Sequence, residues 1–404
     1  MKRYILILVA IGILLSGCSS QISQEVVKVE NKEITEMSME ITETPRDVTK
    51  VRRDATGVPR EVTEVPVTKE PTKCTVSICA VGDNLYHSTV YNKGITSEGY
   101  DFNFIYDNVR DFISSFDISV VNQETVFVDD NKVSSYPCFG TPKSAGEALI
   151  NAGFDVFLGA TNHTYDKGKE GIESTLDFYK NHPEVCYLGI NSDEEEYNTV
   201  KIIEKNNIKI AMLNYTYGLN GFVVPDEYSY LVDTLYDEDK IKQDLQYAEG
   251  NADITIVFPH WGTEYVYDET DYQKQWANLF TEYGADIIIG THPHVVEPVK
   301  YITSDNGNKS LCYYSLGNFV SGQNEKPRIL GGIACFKISK TNGVVSIEAC
   351  NFTPSVTFRS SSSVGIYLLK DFTNELANSS SLKASPDYLM DLWTSINEDS
   401  EVTY

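Results

Sequence analysis

From Lys73 to about residue 360 the chain alternates short apolar runs with longer amphipathic stretches, and this texture begins abruptly. The runs CTVSICAVG, DISVVN, DVFLGA, DITIVFPHW and DIIIG are too short for ordinary helices and mostly lack polar alternation. They read as strands buried on both faces. Between them, FNFIYDNVRDFISSF, SAGEALINAG, GKEGIESTLDFYKN, KIKQDLQYAEG and TDYQKQWANLFTEYG repeat apolar residues at helical spacing, as helices packed by one face do. Two strand pairs are marked by their turns. NTVKIIEKNNIKIAMLNYTYG reverses at Asn206–Asn207, and GGIACFKISKTNGVVSIEACNF at Asn342–Gly343, residue types suited to tight hairpins. Strands alternating with helices predict an α/β fold. The tail after about residue 375 is polar and Ser/Asn-rich; Leu392 and Trp393 could dock a helix there, and the pattern leaves that open.

Ahead of Lys73 the chain reads differently. Lys2 and Arg3 precede YILILVAIGILL, and LSGC ends at Cys18. A charged start, a short apolar stretch and small residues before a cut describe an export signal, too short for a comfortable membrane span. Cys18, placed after Leu15, Ser16 and Gly17, resembles the cysteine of a bacterial lipobox, which is acylated and becomes the mature N-terminus. An uncleaved signal anchor is the alternative. Two or more acyl chains hold a protein stably on a membrane, and either reading puts the body outside the cytoplasm. Residues 19–73 hold no aromatic residue and carry a loose repeat, TPRDVTKV and VPREVTEV. That composition predicts an extended tether, with a helix over EVVKVENKEITEM as the alternative. The expected organisation is a signal peptide over 1–17, lipidated cysteine and tether over 18–73, a folded domain over 74–360 and a C-terminal extension over 361–404.

Charge narrows the partners. With 33 Lys and Arg against 58 Asp and Glu, the formal net charge is −25, a balance that repels nucleic acid and anionic headgroups. No nucleic-acid partner is expected. An anionic substrate would need local charge reversal, which a metal centre could supply. Of eight cysteines, the seven besides Cys18 are scattered through strand-like segments with no CxxC pair. They read as small buried apolar side chains and not as a disulfide framework or zinc knuckle.

Five of the six histidines fall just beyond predicted strands: His87 after ICAVGDNLY, His163 after DVFLGATN, His260 after ITIVFP, and His292 with His294 after DIIIGT. His182, at a helix end, does not. Loops after strands converge on one rim in α/β sheets, where ligands bind. The matching loops also carry Asp83, Glu124, Asn162 and Glu264. Imidazole, carboxylate and amide oxygen form the mixed donor set preferred by Zn, Mn or Fe over Ca or Mg. Two histidines one residue apart on an extended loop would face opposite ways, so His292 and His294 could serve neighbouring ions, with Pro293 stiffening the loop.

In this order, GDNLYH, VNQET, GATNHTYD, HWGTEY, GTHPH and YSLGNF resemble the motif series of the CapA family of capsule or poly-γ-glutamate synthesis proteins, which is related to the calcineurin-like metallophosphoesterases. The resemblance runs from about Thr75 to Phe319. It implies an αββα sandwich with mixed central sheets, binding one or two divalent ions. On its motifs, Asp83 and His294 resemble ligands of a first ion, Glu124 the bridging carboxylate, and Asn162, His260 and His292 ligands of a second. His163 resembles a general acid or transition-state stabiliser, oriented by Asp166. Glu264 is a candidate ion-side partner or amine contact, and Asn318 a shaper of the pocket floor. His87 is a further candidate ligand, although it stands four residues after Asp83 where the phosphoesterase motif is Asp-x-His. The implied roles are a metal-dependent hydrolase acting on a phosphoester or an anionic polymer, or a non-catalytic component that holds poly-γ-glutamate during export beside other capsule-synthesis membrane proteins. A solute-binding lipoprotein is the third reading, and the clustered histidines disfavour it.

Overall fold

A computed structural model describes residues 73–400 and 402. The signal peptide, Cys18 and nearly all of the expected tether lie outside the described residues. The chain parts into two units, 1–68 and 69–404, and the described residues belong to the second. Among them no helix is long and apolar enough to cross a membrane.

Among the described residues, fourteen strands build two large sheets. The first takes β1 (Lys73–Asn84), β2 (Ile118–Gln123), β3 (Val156–Leu158) and β4 (Cys186–Leu188) from the first half of the chain. The second takes β5 (Lys201–Lys205), β6 (Ile208–Thr216), β7 (Ile254–His260), β8 (Ile287–Ile289), β9 (Val299–Thr303) and β10 (Lys309–Tyr313). The chain then returns to the first sheet with β11 (Asn318–Val320), β12 (Leu330–Thr341), β13 (Val344–Arg359) and β14 (Val364–Leu368). Strand order is β14-β13-β12-β1-β2-β3-β4, with β11 beside β1, in one sheet and β9-β10-β8-β7-β6-β5 in the other. β1 to β4 run parallel, as do β6, β7, β8 and β10, and β11 runs parallel to β1, while the remaining pairings are antiparallel. Both sheets are therefore mixed.

Side-chain alternation shows the layers. Val76, Ile78 and Ala80 of β1 share one core with Ile254, Ile256 and Phe258 of β7, so the sheets pack face to face. Their alternates point outward. Cys79 and Val81 meet Ala145, Ala148 and Leu149 of α1 (Lys143–Asn151) and Ile172 and Phe178 of α2 (Gly168–Lys180). Val257 and Ile288 meet Ile241 and Leu245 of α3 (Glu238–Asn251) and Ala277 and Phe280 of α4 (Asp271–Glu282). The architecture is the four-layer αββα sandwich, each sheet covered on both faces.

Both predicted hairpins form, turning through Asn206 and Asn207 at φ 52° and 61° and through Asn342 and Gly343 at φ 53° and 87°. The stretch FNFIYDNVRDFISSF departs from its helical pattern. It splits into a 3₁₀ turn at Asn103–Tyr106 and one α-turn at Arg110–Ile113. Phe102, Ile105, Tyr106, Val109 and Ile113 are still all buried, and the Tyr106 hydroxyl bonds Asn84 Oδ1 (3.1 Å) and the Tyr86 hydroxyl (2.8 Å). Those tertiary bonds to the end of β1 replace helical continuity. The segment after 360 continues the same body: β14 pairs with β13, and a helix, α5 (Pro386–Ile396), buries Trp393 against Phe352 at 4.6 Å between ring centroids.

Candidate metal centre

The carboxyl ends of β1, β2, β3, β7 and β8 meet along one edge of the sandwich, and each delivers part of a buried polar cluster. Asp83 lies in the last turn of β1, opposite Asn122 of β2 in register. Glu124 follows β2, and His260 ends β7. The β8 loop opens with Gly290, where a Cβ would lie 2.0 Å from the Tyr314 carbonyl oxygen and 2.3 Å from Trp261 Nε1. Only glycine fits, and the close approach lets GTHPH turn inward. That loop is not extended. His292 and His294 have φ of 101° and 59°, conformations that L-residues adopt at a cost of about 1–3 kcal/mol each. The two rings still serve different groups, with centroids 5.9 Å apart.

Two sets of potential donors share Glu124. Asp83, Glu124 and His294 form one; Glu124, His260 and His292 form the other, with ligand atoms inside each set within 4.8 Å of one another. His294 Nδ1 lies 2.9 Å from Asp83 Oδ2, and its Nε2 is 3.7 Å from Glu124 Oε1. His260 Nε2 stands 4.0 Å from the same oxygen and 3.0 Å from Asn162 Oδ1, which adds the amide to the second set. All of these side chains are buried.

Both Glu124 oxygens and His292 Nδ1 have no hydrogen-bond partner. Burial pushes the Glu124 carboxyl well above its usual range, against the opposing pull of His294 and with the Asp83 charge adding to it. Burial, then neighbouring histidines, hold His260 and His292 well below the ordinary imidazole value, so both are neutral and able to donate a lone pair. His294 goes the other way. Burial would lower it, but the Glu124 and Asp83 carboxylates lift it to about 9. Orphaned carboxylate oxygens beside neutral imidazoles at this spacing fit divalent cations, and the mixed N/O set suits Zn, Mn or Fe.

Around this cluster the remaining sequence candidates find distinct places. His163 Nδ1 contacts Asp166 Oδ2 at 2.7 Å, and the same oxygen accepts from the Phe139 N–H at 2.7 Å. Asn318 Oδ1 lies 3.1 Å from His294 Nδ1, and its amide donates to the Arg328 carbonyl at 2.9 Å. Glu264 is exposed on the loop after β7, outside both donor sets. His87 joins neither set. By its position the chain has left β1 for a helical turn, and its Nδ1 accepts from the Gly322 N–H at 3.1 Å while the ring packs edge-on to Phe139.

Sequence reasoning missed several contributors. Asn122 donates to Asp83 Oδ1 at 2.8 Å, and Thr291 Oγ1 lies 2.9 Å from His260 Nδ1. The Asn220 amide links Asn162 (3.1 Å) and His163 (3.2 Å), and the Tyr217 ring lies against His292 at 4.6 Å. Asn122 was findable, since it stands two residues before Glu124 on an alternating strand. Asn220 carries no such signal.

An αββα sandwich with a buried, carboxylate-bridged pair of donor sets at its strand ends defines the class. The chain belongs to the family of bacterial capsule synthesis proteins PGA_cap, whose family model matches residues 77–323. It is 32% identical over 185 residues to the PGA biosynthesis protein CapA of Bacillus subtilis (strain 168), covering 45% of this chain and 47% of that protein. It is 29% identical over 234 residues to the capsule biosynthesis protein CapA of Bacillus anthracis, covering 55% of each. The chain thus spans about half the length of these relatives. Among solved structures, the calcineurin-like phosphoesterase YfkN of Bacillus subtilis is similar at 13% identity and TM-score 0.40, over 81% of this chain and 98% of that one. A putative 5'-nucleotidase of Staphylococcus aureus gives 14% and 0.43, over 69% and 54%.

Proposed function

We propose that this protein is a lipid-anchored, extracytoplasmic component of capsule polymer synthesis or export, with a divalent-metal centre that acts on an anionic polymer such as poly-γ-glutamate or on a phosphoester. The observation that carries the metal centre is Glu124, shared by two donor sets and buried with neither oxygen hydrogen-bonded. Asp83 and His294 would hold one ion, Asn162, His260 and His292 the other, and Glu124 would face both. Bound divalent ions supply the positive charge that polarises an anionic oxygen and activates water at neutral pH. The chain's own groups do the rest. His163, oriented through Nδ1 by Asp166, keeps Nε2 to hold or give a proton. Phe139 packs on His163 at 4.8 Å and keeps water from that face.

A second reading, a polymer-holding role without cleavage, is favoured by the relatives' names, which refer to biosynthesis. Following the length of a defined γ-linked glutamate polymer with metal-loaded wild type separates the two. Shortening that His163→Ala slows by roughly 10²–10⁴-fold at unchanged metal content supports the hydrolase; binding without shortening supports the holding role. Anchoring has its own test. Cys18→Ala should move the protein from membrane to soluble fraction and abolish fatty-acid labelling, and a variant that stays membrane-bound and labelled contradicts the lipobox reading.

A further inference from the structure

The described residues contain three arginines, and two of them flank the loop that leaves β11 beside the metal centre. Their situations differ. Arg359 is buried and donates to Thr89 Oγ1 (3.3 Å), the Gln323 carbonyl and Asn324 Oδ1 (3.3 Å), so it braces the loop. Arg328 is half-buried, and among the described residues its guanidinium has no hydrogen-bond partner and no carboxylate within 4.0 Å. In a chain with 58 acidic residues against 33 basic ones, an arginine left without a carboxylate is unusual. The third arginine, Arg110, has Asp107 at 3.1 Å.

Arg328 is nevertheless held in place. Its Cζ lies 3.5 Å from the centroid of the Tyr265 ring, a close cation–π stack. Tyr265 is in turn 6.0 Å from the His294 ring, takes a bond from Gln323 Nε2 (3.3 Å), and donates its backbone N–H to the Pro293 carbonyl (2.8 Å). It holds this place at φ 66°, a left-handed conformation that costs a bulky residue free energy. The Arg328 carbonyl is fixed through Asn318, which also meets His294. A rigid guanidinium with free donors, tied to both the GTHPH loop and the centre, is the arrangement that recognises planar carboxylates.

We propose that Arg328, presented by Tyr265, binds a carboxylate of the polymer beside the metal centre and so selects a polycarboxylate chain. This rests on the reading that an anionic polymer meets this site. The test is equilibrium binding of a synthetic γ-linked glutamate oligomer, and of its α-carboxamide counterpart, to the full-length metal-loaded protein and to Arg328→Gln and Arg328→Lys, with metal content and Tm measured alongside. The expected result is a loss of roughly tenfold or more in oligomer affinity for Arg328→Gln, partly recovered in Arg328→Lys, at unchanged metal content and Tm. The carboxamide oligomer should bind wild type weakly and be insensitive to either substitution. Equal binding by Arg328→Gln and wild type, or an equal loss for both oligomers, overturns the assignment of Arg328. Metal-loaded wild type that binds neither oligomer overturns the polycarboxylate substrate and leaves the metal centre standing, whereas wild type that takes up no metal overturns the functional reading beneath it.

Discussion

Glu124 separates what folding wants from what binding wants. Without a cation its buried carboxylate is a cost to the fold, and with one it joins two donor sets. Glu124→Gln is therefore expected to stabilise the metal-free protein by about 1–3 kcal/mol, read from chemical denaturation after chelation, while removing the rise in Tm that added metal gives wild type. Asp233 behaves differently because it lies away from the centre, near Lys240 and Asp244. Burial raises its carboxyl from 3.8 to about 7, with the Lys240 charge opposing and the Asp244 charge adding. A carboxyl that holds its proton more tightly when folded adds stability that is complete below pH 3.8 and lost as pH rises through about 7. Denaturation at stepped pH should show stability falling in that window by up to about 1.4 kcal/mol per pH unit beyond what Asp233→Asn shows. Equal slopes in the two proteins would contradict it. Among single residues, the chemically loud ones were legible: histidines and carboxylates at strand ends. Asn220 and Arg328 were not, because each acts through a loop whose partner lies far away in sequence.

At the scale of elements, the strand-end loops carry the chemistry and pay for it in backbone strain. His292, His294 and Tyr265 all have positive φ, and Gly290 allows the turn that brings the first two inward. Gly290→Ala forces a Cβ into the Tyr314 carbonyl. It is expected to cost about 3 kcal/mol of stability and to weaken metal binding, seen as a lower Tm and reduced metal content. Hairpins and strands were readable because turn chemistry and apolar runs are local signals. The FNFIYDNVRDFISSF stretch was not, since its apolar spacing fits a helix but the Tyr106 hydroxyl bonds at the end of β1 decide its shape. Nor could the pattern show that the chain visits the second sheet and returns to the first, which is what places Asn318 next to His294 and Arg328 over Tyr265.

Over the whole molecule, the acidic surface and the buried carboxylates make one problem. A chain of formal charge −25 can attract a polyanion only where positive charge is concentrated, and bound ions with Arg328 would concentrate it at one edge. The body extends beyond the matched family segment, because Trp393 of α5 fills the core against Phe352. Trp393→Ala is expected to cost about 3–5 kcal/mol, measured by denaturation, although the residue belongs to the C-terminal tail. The central claim is that the two donor sets hold metal. Element analysis of the purified protein tests it most directly: about one to two equivalents of Mn, Zn or Fe in wild type, and loss of that metal in His292→Ala/His294→Ala, are predicted. Wild type that stays metal-free after reconstitution, or a double variant that keeps the full complement, would contradict it.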